Sequence, residues 1–188
     1  MKYIDIRKIH EGEFITRYDI TYETSDKMTK VYEMISRNND IKNYDELVNT
    51  SPDAVVLIMH DESGEKILLN REFRMAAGRY VYNFPAGLID PGEDYKESAA
   101  RELREETGLT LLSIDDVMNK SYSAVGFSNE TNMCVIGKAG GTFAPSTSTC
   151  EEIEAGWYTK EEVRELLKKE AFAARTQAYC YMWAESNK

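Results

Sequence analysis

The segment spanning residues 87–109 constrains the fold of this chain more than any other, because it carries a complete set of helix signals. Asp94, followed three positions later by Glu97, has the form of an N-terminal capping pair. Alanines and a leucine between positions 99 and 103 form an apolar stripe at helical spacing, and Gly108 is a typical C-terminal stop. The segment therefore predicts a helix of about 14 residues with one face against a core.

This helix carries an unusual density of carboxylates near its end. Glu102, Glu105 and Glu106 stand at i, i+3 and i+4, so their side chains project from neighbouring points and repel one another unless a cation lies between them. Oxygen ligands at this density suit Mg²⁺ or Mn²⁺. Spacing alone leaves a second interpretation open, which is a solvated helix face with ordinary ion pairs.

Two further charged residues belong to the same stretch. Glu93, just before the helix, is placed to approach the acidic cluster. Arg101 lies four positions after Glu97 and four before Glu105, so the spacing predicts that it pairs with either and fixes a carboxylate rotamer.

Strand signals crowd the chain upstream of this helix. Residues 54–59 form a continuous apolar run of the kind that is buried on both faces. Residues 14–22 and 31–35, on either side of a turn at 25–27, predict a small antiparallel sheet within residues 1–50. The other predicted strands are 66–74, 80–84, 111–117, 132–137 and 152–158, and the other predicted helices are 160–169 and 171–184.

Composition indicates one acidic globular domain. In 188 residues, Lys and Arg total 23 against 33 Asp and Glu, a formal net charge of −10 that opposes binding to nucleic acid or to an anionic membrane surface. No apolar run approaches the roughly 18 to 20 residues of a membrane span, and the first residues lack a signal-peptide segment. Cys134, Cys150 and Cys180 are widely spaced without a C-x-x-C pair, which favours reduced thiols. We therefore expect a soluble, cytoplasmic protein.

The helix segment also matches a known family pattern. Residues 87–109 read Gly-x5-Glu-x7-Arg-Glu-apolar-x-Glu-Glu-x-Gly-apolar, which resembles the Nudix box of the Nudix hydrolase family. Its seven fixed identities arise by chance at about one in 10⁸ start positions. Further stretches are similar to the ADP-ribose pyrophosphatase branch of that family, namely residues 32–37, 71–74, 83–87, 126–130 and 156–158.

The resemblance implies a fold and an assembly. Residues 51–188 would form an α/β Nudix domain, a mixed β-sheet sandwiched between helices. Residues 1–50 would form an N-terminal antiparallel β appendage, which in this branch exchanges between the subunits of a homodimer and helps to enclose the substrate.

The resemblance also implies a reaction. Members of this branch use water and a divalent metal, here Mg²⁺ or Mn²⁺, to cleave a nucleoside diphosphate linked to another group, so ADP-ribose would give AMP and ribose 5-phosphate. Carried over residue by residue, the metal ligands are the carbonyl of Ala86 and the carboxylates of Glu102, Glu105 and Glu106, and the catalytic residues are Arg101, Glu105 and the candidate base Glu130.

The residues expected to bind substrate are Arg37, Arg71, Arg74, Phe84 and Gly87. Arginine presents a fork of donors to phosphate or ribose, but Arg71 and Arg74 lie three positions apart on a predicted strand, so their side chains leave opposite faces. Surface ion pairs with Glu72 or Glu65 explain both arginines equally well. An aromatic residue such as Phe84 packs in a core more often than it stacks on a purine.

One departure from the branch leaves the substrate open. ADP-ribose hydrolases of this kind often carry a proline after the box, at the position where Ala124 and Val125 stand here. A GDP-sugar or another nucleotide sugar is the alternative substrate, with a nucleoside triphosphate behind it. The rival from another class is a module that senses ADP-ribose without cutting it, a role that usually accompanies a damaged acidic helix, whereas this helix is intact.

Overall fold

The computed structural model describes residues 1–48, 51–147 and 152–186, and the chain divides into two compact units. One unit is Met1–Asp53 with Lys120–Asn132, and the other is Ala54–Asn119 with Met133–Lys188. The first unit thus combines the N-terminal residues with a second segment of the chain.

The first unit is built on a three-stranded antiparallel sheet of order β1-β2-β3. Tyr18 is fully buried in its core, where its hydroxyl donates to the carbonyl of Asn38 at 2.8 Å and accepts from the amide of Ile41 at 3.2 Å. These two bonds tie the chain that follows β3 to the sheet. The elements of the unit are β1 (Lys2–Glu11), β2 (Thr16–Glu23), β3 (Thr29–Ser36) and the short helix α1 (Tyr44–Val48).

The two predicted strands of this sheet are confirmed, but β1 and α1 were not predicted. In β1 only Ile6 is buried, so the strand lacks the alternation of apolar and polar residues that marks a half-buried strand. In α1 only Leu47 is buried, and five residues are too few to show a helical period.

Most of the second unit's strands belong to a seven-stranded mixed sheet whose main path runs β10-β5-β4-β9-β8, with β6 beside β5 and β7 beside β4. The last residues of β8 and the first of β9 are grouped with the first unit. Every strand predicted after residue 50 is present, and the short strand β7 is an addition. The strands are β4 (Ala54–His60), β5 (Lys66–Arg74), β6 (Arg79–Asn83), β7 (Ala86–Leu88), β8 (Thr110–Tyr122), β9 (Thr131–Gly140) and β10 (Ile153–Thr159), and the helices are α2 (Tyr95–Thr107), α3 (Lys160–Lys169) and α4 (Ala174–Glu185).

Two hydrophobic cores lie on opposite faces of this sheet. Alternate residues of β4 enter each core: Leu57 packs with Leu103 of α2, whereas Ile58 packs with Val163 of α3 and Cys180 of α4. All but the last residue of β4 are buried, as its continuous apolar run predicts. The predicted α/β fold, a mixed sheet between helices, is therefore confirmed.

The C-terminal helix begins later than the sequence predicts. The amide of Tyr82 donates to the carbonyl of Ala171 at 2.8 Å, and the amide of Ala173 donates to the carbonyl of Tyr82 at 3.0 Å. Residues 171–173 therefore continue the edge of the sheet beside β6, and α4 starts at Ala174. Alanine favours a helix locally, but the edge strand offers this segment backbone partners that the sequence does not reveal.

The cysteines agree with the expectation of reduced thiols as far as they are described. Cys134 and Cys180 are buried and unpaired, and Cys150 lies outside the described residues. Burial raises the pKa of the Cys134 thiol and raises that of Cys180 to about 12. In a separate respect, no helix within the described ranges combines the length and apolar character needed to cross a membrane.

Candidate active site

Helix α2 is fixed at both ends by the residues that predicted it. The Asp94 side chain accepts from the amide of Glu97 at 2.9 Å, and the Glu97 carboxylate accepts from the amide of Asp94 at 3.0 Å, which completes a capping box. Gly108 ends the helix with φ of 77°, and a Cβ there would lie 2.5 Å from the amide nitrogen of Ala144. Both features fix the register of the helix, and with it the direction of each carboxylate.

Arg101, in the middle of this helix, is the centre of an ion-pair network. Its Nε and one terminal nitrogen each donate to Glu93 at 2.9 Å, which is a two-pronged arrangement. The other terminal nitrogen donates to Glu102 at 2.6 Å and to Glu105 at 3.2 Å. The guanidinium also donates to the carbonyl of Leu88 at 2.9 Å, so it joins the helix to β7.

The hydrogen bonds of Arg101 show which of the expected carboxylates it pairs with. The predicted pair with Glu105 is confirmed, whereas the predicted pair with Glu97 is replaced by Glu93, because the Glu97 carboxylate is used in the capping box. Hydrogen bonds from Arg101, then from Ser98, lower the pKa of Glu93 to about 2. Hydrogen bonds to Glu93, then to Glu102, raise the pKa of Arg101, so the Glu93–Arg101 pair stays charged at physiological pH.

The Glu102 carboxylate lies directly against the backbone of β7. A Cβ on Gly87 would stand 1.9 Å from the Glu102 Cδ and about the same from both oxygens, at 2.1 and 2.2 Å. A Cβ at this position would force the carboxylate to move from its present place, where the Glu102 side chain is 13% exposed. Gly87, expected to bind substrate, thus has a demonstrable steric relation to a predicted metal ligand.

Glu106 is the most enclosed of the three carboxylates, with 7% of the residue exposed. Its Oε2 accepts from the side-chain amide of Asn70 at 2.8 Å and from the backbone amide of Ala86 at 3.3 Å. Asn70 is a functional candidate that the sequence analysis missed. The signal was present, since Asn70 is a polar residue that follows three apolar positions within a predicted strand.

Glu105 differs from its two neighbours because 47% of its side chain is exposed. Within the described residues, no three carboxylate, imidazole or thiol side chains form a ready-made metal-binding group. The carboxylates of Glu102 and Glu106, which lie against the Ala86–Gly87 backbone, nevertheless offer oxygen ligands of the kind that a hard divalent cation prefers. Arg101 and Asn70 hold these carboxylates in position.

The two arginines of β5 do not converge on one place. Arg71 donates to Glu154 at 3.1 Å and lies over the ring of Tyr80 at 3.9 Å from its centroid. Arg74 lies 3.4 Å from Glu72. The ion pair expected between Arg74 and Glu72 is therefore present, whereas Arg71 takes a carboxylate of β10 that lies opposite it in the sheet.

Phe84 is placed in the core rather than at an open surface. It is fully buried, and its ring meets that of Tyr179 edge-on at 5.6 Å. No face of the ring is available to stack on a base, so packing is the interpretation that the structure favours.

The remaining two predicted residues meet in the first unit. The Nε of Arg37 donates to Oε2 of Glu130 at 2.6 Å, with the side chains 41% and 25% exposed. The loop that carries Glu130 is attached to β3, since the amide of Ile35 donates to the carbonyl of Phe127 at 2.8 Å. Residue 130 is further held by Ser128, whose hydroxyl accepts from its amide at 3.1 Å.

Comparison with known proteins connects this geometry to a family. The model of the NUDIX domain matches residues 50–180. An ADP-ribose pyrophosphatase of Saccharomyces cerevisiae is 38% identical over 84 residues, which are 43% of this chain and 34% of that protein. The NAD-capped RNA hydrolase NudC of Mycobacterium tuberculosis is 30% identical over 137 residues, which are 70% of this chain and 40% of that protein. The chain thus spans less than half the length of these relatives.

A solved structure extends the likeness of fold to almost the whole chain. The crystal structure of an ADP compounds hydrolase superposes with a TM-score of 0.71 and covers 98% of this chain and 94% of its own. Its sequence identity is 21%, so this likeness concerns the fold alone.

Proposed function

The chain belongs to the NUDIX family, and from that premise we propose that it hydrolyses the diphosphate linkage of a nucleoside diphosphate sugar. ADP-ribose is the favoured substrate, with AMP and ribose 5-phosphate as products. The observation that carries the proposal is the placement of the Glu102 and Glu106 carboxylates against the Ala86–Gly87 backbone. This brings anionic oxygens together on the helix of the family pattern, and hydrolases of this family generally use a divalent metal.

We propose Mg²⁺ as the cofactor, with Mn²⁺ as its substitute. The residues that would hold it are the carbonyl of Ala86 and the carboxylates of Glu102, Glu105 and Glu106. When bound, the metal would offset negative charge on the diphosphate and lower the pKa of a water molecule.

The protein's own charged groups have separate tasks in this scheme. Arg101 holds Glu102 and Glu105 through hydrogen bonds of 2.6 and 3.2 Å, which fixes the rotamers of two proposed ligands. Glu130 is the proposed base that takes a proton from the attacking water, and Arg37 orients its carboxylate through the 2.6 Å bond.

Arg71 and Arg74 are the proposed donors to phosphate or ribose. Each now pairs with a carboxylate that is not part of the acidic helix, Glu154 and Glu72 respectively. The Arg71–Glu154 pair is partly exposed, so exchanging its carboxylate for a phosphate oxygen costs little. Glu72 is only 9% exposed, so releasing Arg74 from it costs more. Because the two side chains leave opposite faces of β5, one of them, rather than both, would contact a given phosphate.

We further propose a homodimer formed through the N-terminal sheet, in a cytoplasmic protein. The first unit exposes several large apolar side chains, and a subunit interface would remove this apolar surface from water. Examples from the N-terminal residues are Phe14 at 73%, Met28 at 63% and Val31 at 54%. Light scattering coupled to gel filtration would measure the mass, and a monomer at micromolar concentration would contradict the dimer.

A second substrate class is a GDP-sugar or another nucleotide sugar. The observation that favours it is the absence of the branch's usual proline, since Ala124 and Val125 occupy that region. The remaining candidates, a nucleoside triphosphate and a sensor that binds without cutting, are outcomes of the same assay.

The test is a product analysis with Mg²⁺ and a panel of ADP-ribose, ADP-glucose, GDP-mannose, NADH and a nucleoside triphosphate. Glu106→Gln is the matched control, because it replaces one carboxylate oxygen and keeps the shape of the side chain. Preferred release of AMP and ribose 5-phosphate, lost in Glu106→Gln, would support the proposal. Preferred cleavage of GDP-mannose would move the assignment to the second class, and binding of ADP-ribose without cleavage would favour the sensor.

A further inference from the structure

Asn70 is a buried amide in an otherwise apolar part of β5. The three preceding residues, Ile67, Leu68 and Leu69, are fully buried, and Asn70 is buried to the same degree. Residues two apart on a strand share a face, so Asn70 points to the side on which Leu68 packs with α2. A leucine or valine would complete that core without any unpaired polar atom.

The amide of Asn70 is only half satisfied. Its Nδ2 donates to Oε2 of Glu106 at 2.8 Å, whereas its Oδ1 is buried and has no hydrogen-bond partner among the described residues. The reverse orientation of the amide would place Oδ1 against the carboxylate and repel it. Burying an unpaired carbonyl oxygen is unfavourable, so the single bond to Glu106 is the feature that accounts for an asparagine here.

We propose that Asn70 is a positioning residue that sets the orientation of the Glu106 carboxylate for metal binding, an inference that rests on the proposed function. The Glu106 carboxylate can rotate about the terminal bonds of its side chain. The backbone amide of Ala86 restrains it weakly, because that hydrogen bond is 3.3 Å long. The 2.8 Å bond from Asn70 is shorter, and Asn70 is a fully buried side chain on a strand that is paired on both sides. Groups that hold a metal ligand in this way affect metal affinity without touching the ion.

The experiment measures Mn²⁺ affinity by the electron paramagnetic resonance signal of free Mn²⁺. The proteins are the wild type, Asn70→Leu, Glu106→Gln and the double variant, so that the two side chains form a double-mutant cycle. Leu69→Val is the matched control, because Leu69 is the adjacent buried residue on the same strand and packs on the opposite face of the sheet. Melting temperatures are recorded for all five proteins, so that loss of folded protein is not mistaken for loss of affinity.

We expect Asn70→Leu to weaken Mn²⁺ binding by about 10- to 100-fold, with no further loss when it is added to Glu106→Gln. Leu69→Val should remain within about twofold of the wild type. Unchanged affinity in Asn70→Leu, an equal loss in Leu69→Val, or a loss that simply adds to that of Glu106→Gln would overturn the positioning role alone. Unchanged affinity in Glu106→Gln would overturn the proposed metal site, and the positioning role with it.

Discussion

Replacing Gly87 with alanine tests whether the place of the Glu102 carboxylate matters to the reaction. The new Cβ would stand 1.9 Å from the Glu102 Cδ, and carbon atoms in contact need roughly 3.5 Å, so the carboxylate must move by about 1.5 Å. Misplacing a reacting or ligating group by this much costs about 100-fold in rate. We therefore expect kcat/KM to fall by about 100-fold, which corresponds to about 2.7 kcal/mol of transition-state stabilisation.

The same substitution should leave the fold almost unaffected. Gly87 does not have a left-handed backbone, so alanine there reduces the entropy of the unfolded chain and gains about 0.4 to 1 kcal/mol. Displacing Glu102 removes one of several hydrogen bonds of Arg101, which keeps its two bonds to Glu93, so the loss is of similar size, about 1 kcal/mol. The two contributions nearly cancel, so the free energy of unfolding should change by less than about 1 kcal/mol.

Gly64→Ala is the matched control for this experiment. Gly64 lies in the β4–β5 hairpin with φ of 78° and open space around its Cα, so alanine there is strained without displacing any side chain. We expect a loss of about 1 to 2 kcal/mol in stability and unchanged kcat/KM. Steady-state kinetics on ADP-ribose and urea unfolding measure both quantities. A Gly87→Ala enzyme that keeps more than a third of the wild-type kcat/KM would refute the reasoning about Glu102.

An ion pair, a buried hydroxyl and the proposed metal can each be perturbed separately. The pKa of Glu93 is about 2 in the folded protein against an ordinary 4.5, so its ion pair stabilises the protein fully above pH 4.5 and loses this effect as the pH falls towards 2. Arg101→Lys should therefore flatten that part of the plot of melting temperature against pH. An unchanged plot would contradict this role of Arg101. The hydroxyl of Thr176 accepts from the amide of Phe84 at 3.2 Å, so Thr176→Val should lower the free energy of unfolding in urea by about 1 to 3 kcal/mol. Thr176→Ser keeps the hydroxyl and should lower it much less. Equal losses in the two variants would show that packing alone matters. Chelation by EDTA should abolish hydrolysis, and added Mg²⁺ should restore the wild type but not Glu106→Gln; activity that survives chelation would count against the metal.

The acidic helix shows how far local signals reach. The capping pair at Asp94 and Glu97 and the glycine at position 108 predicted its bounds within one residue, since capping depends only on neighbours in sequence. Arg101 was predicted to pair within the helix and does so with Glu105. The choice of Glu93 as its strongest partner required the preceding loop to fold back, which helical spacing does not describe.

Elements without a hydrophobic period were the ones that sequence patterns missed. The strand β1 buries only Ile6, and the extended segment 171–173 reads as helix because of its alanines. Each is stabilised by backbone hydrogen bonds to a neighbouring strand, and such bonds leave no trace in side-chain type.

The sequence by itself determined the family pattern, the acidic helix with its caps, the central strand at 54–59 and the identity of the carboxylates that can bind a cation. These follow from interactions between residues a few positions apart. Only the tertiary structure decided that Glu106 is enclosed, that Asn70 donates to it, and that Glu102 lies against Gly87. These contacts join a helix to two strands, and the pairing of β7 with β4 and the packing of α2 on the sheet bring them together; both depend on the fold as a whole.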